Sequence, residues 1–331
     1  MANTPEASAS VAVAVKLLWQ QLRSGERRAL ARMLSRIEDE DPAVHLIEDE
    51  LWRVGRMTPR IGVTGPPGAG KSTIVARLVA RLRAAGERVA VLAVDPSSPF
   101  TGGALLGDRI RMSEHASDAG VFIRSLATRG GGGGLARGTR RAAMACAAAG
   151  YDTVIIETAG VGQTEVGIME LADTVLVALV PEAGDVIQGM KAGVLEIADI
   201  LVVNKSDRPG ADRLCSALKE SVSGAVARGR EPPVLSCAAV HDEGMDELYG
   251  ALMEHRSWRV ENPAPARLAT SELATALVEL LEHRVRNLVG AGTLLPASLV
   301  SDIESGRIGP HEGARLLLQS EIGPLLLRSE Q

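Results

Sequence analysis

The 331 residues are 46% hydrophobic and 23% charged, the balance of a globular chain with room for one sizeable domain and an appendage or second small domain. Thirty-six basic against forty-one acidic residues leave a net charge of −5, and only 2% are aromatic, which excludes the basic footprint and stacking platform of a nucleic-acid binder and the charge that draws a protein to an anionic membrane. Cys146, Cys215 and Cys237 are too scattered for a disulfide framework or a CxxC zinc site, the opening MANTPEASASVAVAVK has no basic leader region, and apolar runs such as Val175–Val180 are too short to span a bilayer, so a cytoplasmic protein is expected.

Residues 1–56 read as an N-terminal helical extension. Leu30, Met33, Leu34 and Ile37, then Val44, Ile47, Leu51 and Val54, recur at the spacing of one helical face, and Asp41-Pro42 marks a boundary between two helices. Over residues 57–256 the pattern changes to short β-branched runs separated by helix-length segments: RIGVTG, VAVLAVD, TVIIE, TVLVALV, ILVVN and PPVLS. Strands apolar on both sides suit a parallel sheet covered on both faces by crossover helices. The expected fold class is therefore α/β, a doubly wound and mostly parallel sheet with helical extensions at both ends. Ligands of such sheets bind beyond the carboxyl ends of the strands, so the residues after each run should carry the chemistry.

The first run leads into Gly65-Pro66-Pro67-Gly68-Ala69-Gly70-Lys71-Ser72-Thr73, which fits GxxxxGK[ST] between a strand and a helix. A glycine-rich turn there offers backbone N–H groups to a β-phosphate at a helix N-terminus. Lys71 would reach the β- and γ-phosphates, and the Ser72 hydroxyl would ligate Mg²⁺. The second run ends at Asp95, and Asp108 follows in GGALLGDR; both acids suit a magnesium shell. TVIIE ends at Glu157, followed by Thr158-Ala159-Gly160, an ExxG where many GTPases have DxxG. Glu157 would help hold the Mg²⁺ shell and the Gly160 N–H would sense the γ-phosphate. Val161 follows Gly160 and Gln163 comes later, so no glutamine orients water at the usual place and slow intrinsic hydrolysis is expected.

ILVV leads into Asn204-Lys205-Ser206-Asp207, which fits NKxD. The Asp207 carboxylate can accept from guanine N1–H and the exocyclic amine, a donor pair that adenine lacks, so GTP is expected rather than ATP. Ser236-Cys237-Ala238, closing the next run, takes the place of the loop whose backbone donates to guanine O6. Residues 257–331 read as a C-terminal helical segment entered through the proline-bearing linker ENPAPARL. Its Leu273, Leu277, Leu280, Leu281 and Leu288 share a face that suits either packing onto the α/β domain or a subunit interface.

The stretches VDPSSPFTGGALLGDRIRM, VFIRSLATRG, GVGQTE, GDVIQGMKAG and NKSDRPGADR closely resemble the MeaB/ArgK-type P-loop GTPases, the family of the methylmalonic aciduria type A protein, over about residues 23–256. The resemblance implies a switch that hydrolyses Mg·GTP to GDP and phosphate. Such a switch chaperones an adenosylcobalamin-dependent acyl-CoA mutase, methylmalonyl-CoA mutase or a relative, gating its cofactor loading and protecting or reactivating it. Cobalamin would be held only by that partner. Asp95, Asp108 and Glu157 resemble the family's magnesium-associated acids. Residues 183–191 resemble a third mobile loop, with Asp185, Gln188 and Lys191 at its matching positions, and Lys191 would move toward the phosphates as a catalytic cation beside Lys71 and Glu157. A homodimer is the expected assembly, with the C-terminal segment as a candidate dimerisation arm. Two departures stand out: Glu182 occupies a place where the family has glycine, and Gly130–Gly134 is an uninterrupted glycine run in place of RGSLGG. A nickel-inserting metallochaperone would need Cys/His clusters, which the six dispersed histidines do not supply, and a small-molecule kinase would need adenine binding, against which NKSD argues.

Overall fold

The computed structural model describes residues 5–96, 113–115, 117–128, 134–158, 164–181, 194–224, 229–262, 273, 277–278, 281–282, 285 and 296–317. The chain divides into two compact units, Met1–Glu261 and Asn262–Gln331.

The first unit opens with α1 (Pro5–Arg23) and α2 (Arg27–Glu38), then a 3₁₀ segment (Pro42–Ile47) and α3 (Glu48–Gly55). Asp41 starts the 3₁₀ segment in the way its sequence suggests. Its carboxylate accepts the Ala43 N–H at 2.9 Å, and Pro42 occupies the first turn, where a missing N–H costs nothing. Leu30, Met33, Leu34 and Ile37 are all buried, so the stripe on α2 is its packing face. The α/β part follows: β1 (Arg60–Thr64), α4 (Lys71–Ala84), β2 (Val89–Pro96), β3 (Val121–Thr128), α5 (Gly134–Ala148), β4 (Thr153–Thr158), α6 (Thr164–Leu171), β5 (Thr174–Leu179), α7 (Val194–Ile197), β6 (Ile200–Asn204), α8 (Ala211–Val222), β7 (Val234–Cys237) and α9 (Met245–Glu261).

Every pairing between these strands is parallel, and the sheet order is β3-β2-β4-β1-β5-β6-β7. The expected doubly wound α/β fold is what forms. β3 is the strand that no apolar run announces, because Arg124 and Ser125 interrupt it. It lies at the sheet edge, where Arg124 pairs with Glu38 and donates to Ser35 Oγ at 3.1 Å, both on α2.

The period-2 alternation of the strands divides the core into two layers. Ala90, Leu92, Val94, Val154 and Ile156 pack with α1, α2, α3, α5, α6 and α8, whereas Val89, Val91, Ile155, Leu176 and Val202 pack with α4 and α9. The N-terminal helices thus share one core with the sheet. α3 approaches α5 closely enough that a Cβ on Gly55 would lie 2.6 Å from Met144 Cβ.

The amino ends of the strands are tied by a repeated device. Asp152, just before β4, accepts the Arg88 N–H at 2.8 Å and returns its own N–H to the Arg88 carbonyl at 2.8 Å. Asp173, before β5, makes the same exchange with Arg60 at 2.9 and 2.8 Å, and Asp199, before β6, makes it with Val175 at 2.7 and 2.9 Å. Each is a two-point clamp between adjacent strands, and the Arg60 guanidinium adds two more bonds to Asp173.

In the second unit, α10 (Ala297–Glu304) and α11 (Pro310–Leu317) pack together through Gly313 and Ile303. Leu273, Leu277 and Leu281 fall four residues apart, and all three are exposed. Among the described residues, no helix is long and apolar enough to cross a membrane.

Candidate nucleotide site

The carboxyl ends of β1, β4, β6 and β7 converge on one edge of the sheet, and each delivers a segment that the sequence singles out. Residues 65–70 turn tightly from β1 into α4. Gly65 has φ +134°, and a Cβ there would overlap the Ala178 carbonyl oxygen on β5; Gly70, at the head of α4, has φ +81° and leaves no room beside the Asn204 amide. Only glycine fits at either position, because both the left-handed backbone and the close approach exclude a side chain.

Lys71 is 7% exposed, and its ammonium donates to the carbonyls of Gly65 and Pro66 at 2.8 and 3.0 Å. The cation therefore lies folded over the loop. One residue on, the Ser72 hydroxyl donates to Glu157 Oε1 at 2.6 Å, and both side chains are buried. A hydroxyl and a carboxylate oxygen held this close at the start of a helix are hard donors of the kind that magnesium takes, so the residues present fit that ion. Behind them, the Thr158 hydroxyl donates to Thr64 Oγ1 at 2.9 Å and locks β4 to β1.

Asn204 joins the 65–70 turn to the segment that follows β7. Its amide donates to the Ala69 carbonyl at 2.8 Å, and its Oδ1 accepts the Ala239 N–H at 3.1 Å and the Cys237 thiol at 3.5 Å. Burial pushes the Cys237 thiol up to about 12, so it stays protonated and donates. Lys205 takes a left-handed backbone, φ +59°, which turns the chain outward so that Asp207 is exposed; the Ser206 N–H anchors the turn to the Cys237 carbonyl at 3.0 Å.

Ser236, Cys237 and Ala238 lie next to this turn, but the Ala238 N–H is engaged by the Glu243 carbonyl at 3.0 Å, and Ser236 is exposed. The amide that faces Asn204 is that of Ala239, one residue past the expected stretch. The tight turn through Gly244, φ +71°, was the sequence signal that could have set the register. In the loop of residues 65–73, Pro67 and Gly68 are exposed while Pro66 and Ala69 are buried, and Thr73 is half-buried. Asp95 ends β2 next to β4, two positions beyond the residue that pairs with Glu157, and its side chain lies outside the described set. Asp108, Gly160 and Lys191, with Gln163, Asp185 and Gln188, also lie outside the described residues.

The chain is similar to known proteins along most of its length. The family model described as methylmalonyl Co-A mutase-associated GTPase MeaB matches residues 30–293. A putative GTPase from Pyrococcus horikoshii is 39% identical over 92% of this chain and 98% of its own. The mitochondrial methylmalonic aciduria type A homolog of Caenorhabditis briggsae is 31% identical over 93% of this chain and 84% of its own. Among solved structures, the LAO/AO transport system kinase superposes with a TM-score of 0.63 at 27% identity, covering 93% of this chain and 97% of that one. A glycine-bound phosphate loop, a buried Lys71 and Ser72–Glu157 pair, an NKxD turn and this match place the chain in the MeaB family of P-loop GTPases.

Proposed function

We propose that this GTPase is a nucleotide-driven switch that serves an adenosylcobalamin-dependent acyl-CoA mutase, methylmalonyl-CoA mutase or a relative. It would gate cofactor loading and protect or reactivate the enzyme, with cobalamin held only by that partner. The observation that carries the reading is the Ser72–Glu157–Lys71 constellation in a chain matched to a mutase-associated GTPase family.

On this reading, Lys71 turns from the loop carbonyls to the β- and γ-phosphates, and the amides of residues 65–73 wrap the β-phosphate. Ser72 and Glu157 hold Mg²⁺, with Asp95 and Asp108 completing its shell; the ion supplies positive charge against the triphosphate. The Gly160 N–H senses the γ-phosphate, and Lys191 adds a cation when the partner docks. Asp207 reads guanine N1–H and the amine, while Asn204 and Lys205 shape the base pocket beside Ser236, Cys237 and Ala238. The loop amide that would donate to O6 is that of Ala239, whose N–H would turn to the base from Asn204 Oδ1. The exposed Leu273, Leu277 and Leu281 support a homodimer joined through the C-terminal segment.

Two experiments check the reading. Asp207→Asn should switch preference from GDP toward XDP, because the C2 carbonyl of xanthine accepts from the new amide where the guanine amine clashed with it. Retained selectivity for GDP over XDP would give the base-reading role to another residue. Separately, with no glutamine after Gly160, basal turnover should be about 10⁻⁴–10⁻² s⁻¹ and should rise on titration with a purified adenosylcobalamin-dependent mutase. Linkage then requires the mutase to change nucleotide affinity by the factor by which nucleotide changes mutase affinity. A panel of such mutases that neither binds nor alters the rate overturns the chaperone role.

A further inference from the structure

The loop that presents Ala239 is held from three directions. From within, the Ala238 N–H donates to the Glu243 carbonyl at 3.0 Å and the His241 N–H to the Ala238 carbonyl at 2.8 Å. From β6, Asn204 Oδ1 accepts the Ala239 N–H. The third tether comes from α4, the helix that starts at Lys71 and Ser72. Arg77 Nε donates to the Ala239 carbonyl at 3.2 Å and Arg77 Nη2 to the Val240 carbonyl at 3.4 Å. One turn on, Arg81 grips Asp242 with two bonds of 2.8 and 3.1 Å and Asp246 with one of 2.8 Å.

Asp246 faces solvent, whereas the Asp242 side chain is 48% exposed beside the arginine. Asp242 has φ +64°, in the left-handed region that aspartate tolerates, and the Arg81 side chain is only 15% exposed. The hydrogen bonds from Arg81, and then its charge, keep the Asp242 carboxyl below the ordinary carboxylate range. The forked geometry fixes direction as well as distance. The Ala239 N–H shares its peptide plane with the Ala238 carbonyl, which the His241 N–H holds, and Arg77 holds the next plane through the Ala239 carbonyl, so the backbone is tethered on both sides of Ala239.

We infer that Arg77 and Arg81 are positioning residues for base recognition: from the phosphate-binding helix they hold the loop from which the Ala239 amide turns, off Asn204 Oδ1, to the 6-oxygen of a guanine nucleotide. This rests on the guanine reading proposed above. It separates two contributions to selectivity, one at position 6, which depends on the arginines, and one at N1–H and the 2-amine, which depends on Asp207. It also makes α4 a physical link between the two ends of the nucleotide, since Ser72 and Arg81 lie on the same helix.

The test is equilibrium binding of GDP, 6-thio-GDP and IDP to the full chain in magnesium, for the parent and for Arg77→Ala, Arg81→Ala, Arg81→Lys and Asp242→Asn. 6-Thio-GDP keeps N1–H and the 2-amine and changes only the acceptor at position 6; IDP keeps the 6-oxygen and lacks the amine. The parent should prefer GDP over both. In Arg77→Ala and Arg81→Ala the preference for GDP over 6-thio-GDP should fall by roughly three- to tenfold, while the preference for GDP over IDP stays as in the parent. Asp242→Asn, which tolerates the left-handed backbone but loses the ion pair, should reproduce the Arg81→Ala pattern, and Arg81→Lys should lie between it and the parent. A parent without preference for GDP over 6-thio-GDP overturns the inference. So do variants whose two ratios both match the parent, even if their Tm falls, because a loss of stability alone moves neither ratio. Equal parent affinity for GDP and IDP instead counts against Asp207 as the amine reader and leaves the 6-thio-GDP ratio to decide the role of the arginines.

Discussion

Lys71→Ala is expected to abolish GTP hydrolysis and to weaken GTP binding. The ammonium is buried, and it makes two bonds to loop carbonyls that phosphate oxygens would replace. Charge-assisted hydrogen bonds contribute about 1.5–3 kcal/mol each, so losing two contacts in the transition state corresponds to a rate loss on the order of 10²–10⁴-fold. Single-turnover phosphate release in saturating magnesium measures it, with the melting temperature recorded alongside because the alanine also leaves the Gly65 and Pro66 carbonyls without their donor. Hydrolysis within a few-fold of the parent would remove residues 65–73 from the reaction.

The second large effect is on the fold around the site. Gly65→Ala should prevent the loop from forming as it stands, since the new methyl would meet the backbone of β5 and not a side chain that could swing aside. The left-handed backbone adds its own strain, and together they put the destabilisation at roughly 3 kcal/mol or more. Gly250→Ala provides the contrast. Gly250 lies within α9 with nothing near its missing Cβ, and alanine there should stabilise the helix by up to about 1 kcal/mol. Thermal unfolding of the pair, followed by GDP binding to whatever folded Gly65→Ala remains, measures both effects. Equal melting temperatures for the two variants would mean that the β1–α4 turn rearranges without cost.

The doubly wound parallel sheet was legible because buried parallel strands write themselves as unbroken β-branched runs, as TVIIE and TVLVALV do. β3 was not, because an edge strand packs one flank against α2 and can carry Arg124 and Ser125. The strand order was equally hidden, since nothing local in TVIIE says that β4 inserts between β1 and β2. At the site, sequence spacing placed Lys71, Ser72, Glu157 and Asn204 where the structure brings them together. It stopped one residue short of Ala239, the amide that meets Asn204, because the register of a loop depends on where its turn closes, and here that is set by Gly244 and the Ala238–Glu243 bridge. The arginines on α4 were invisible for a different reason. Their partners lie more than 160 residues away, and an arginine on a helix reads as a solvated surface until the loop above it is seen.

The paired exchanges at Asp152, Asp173 and Asp199 lie at the end of the sheet opposite to the 65–70 turn, which gives the domain a gradient of cohesion. The Arg88, Arg60 and Val175 amides each donate to an aspartate carboxylate whose own N–H returns to the neighbouring strand, so local opening there is opposed and their exchange with solvent should be slow. The register of β4, β5 and β6 is pinned there, and a one-residue slip, which would turn every side chain to the wrong face, is closed off. Rearrangement at the nucleotide end cannot then be absorbed by sliding strands. On the proposed reading, work done by GTP binding or hydrolysis at Ser72 and Glu157 would be carried outward to the surface that the loops present, with the sheet beneath them as the fixed support.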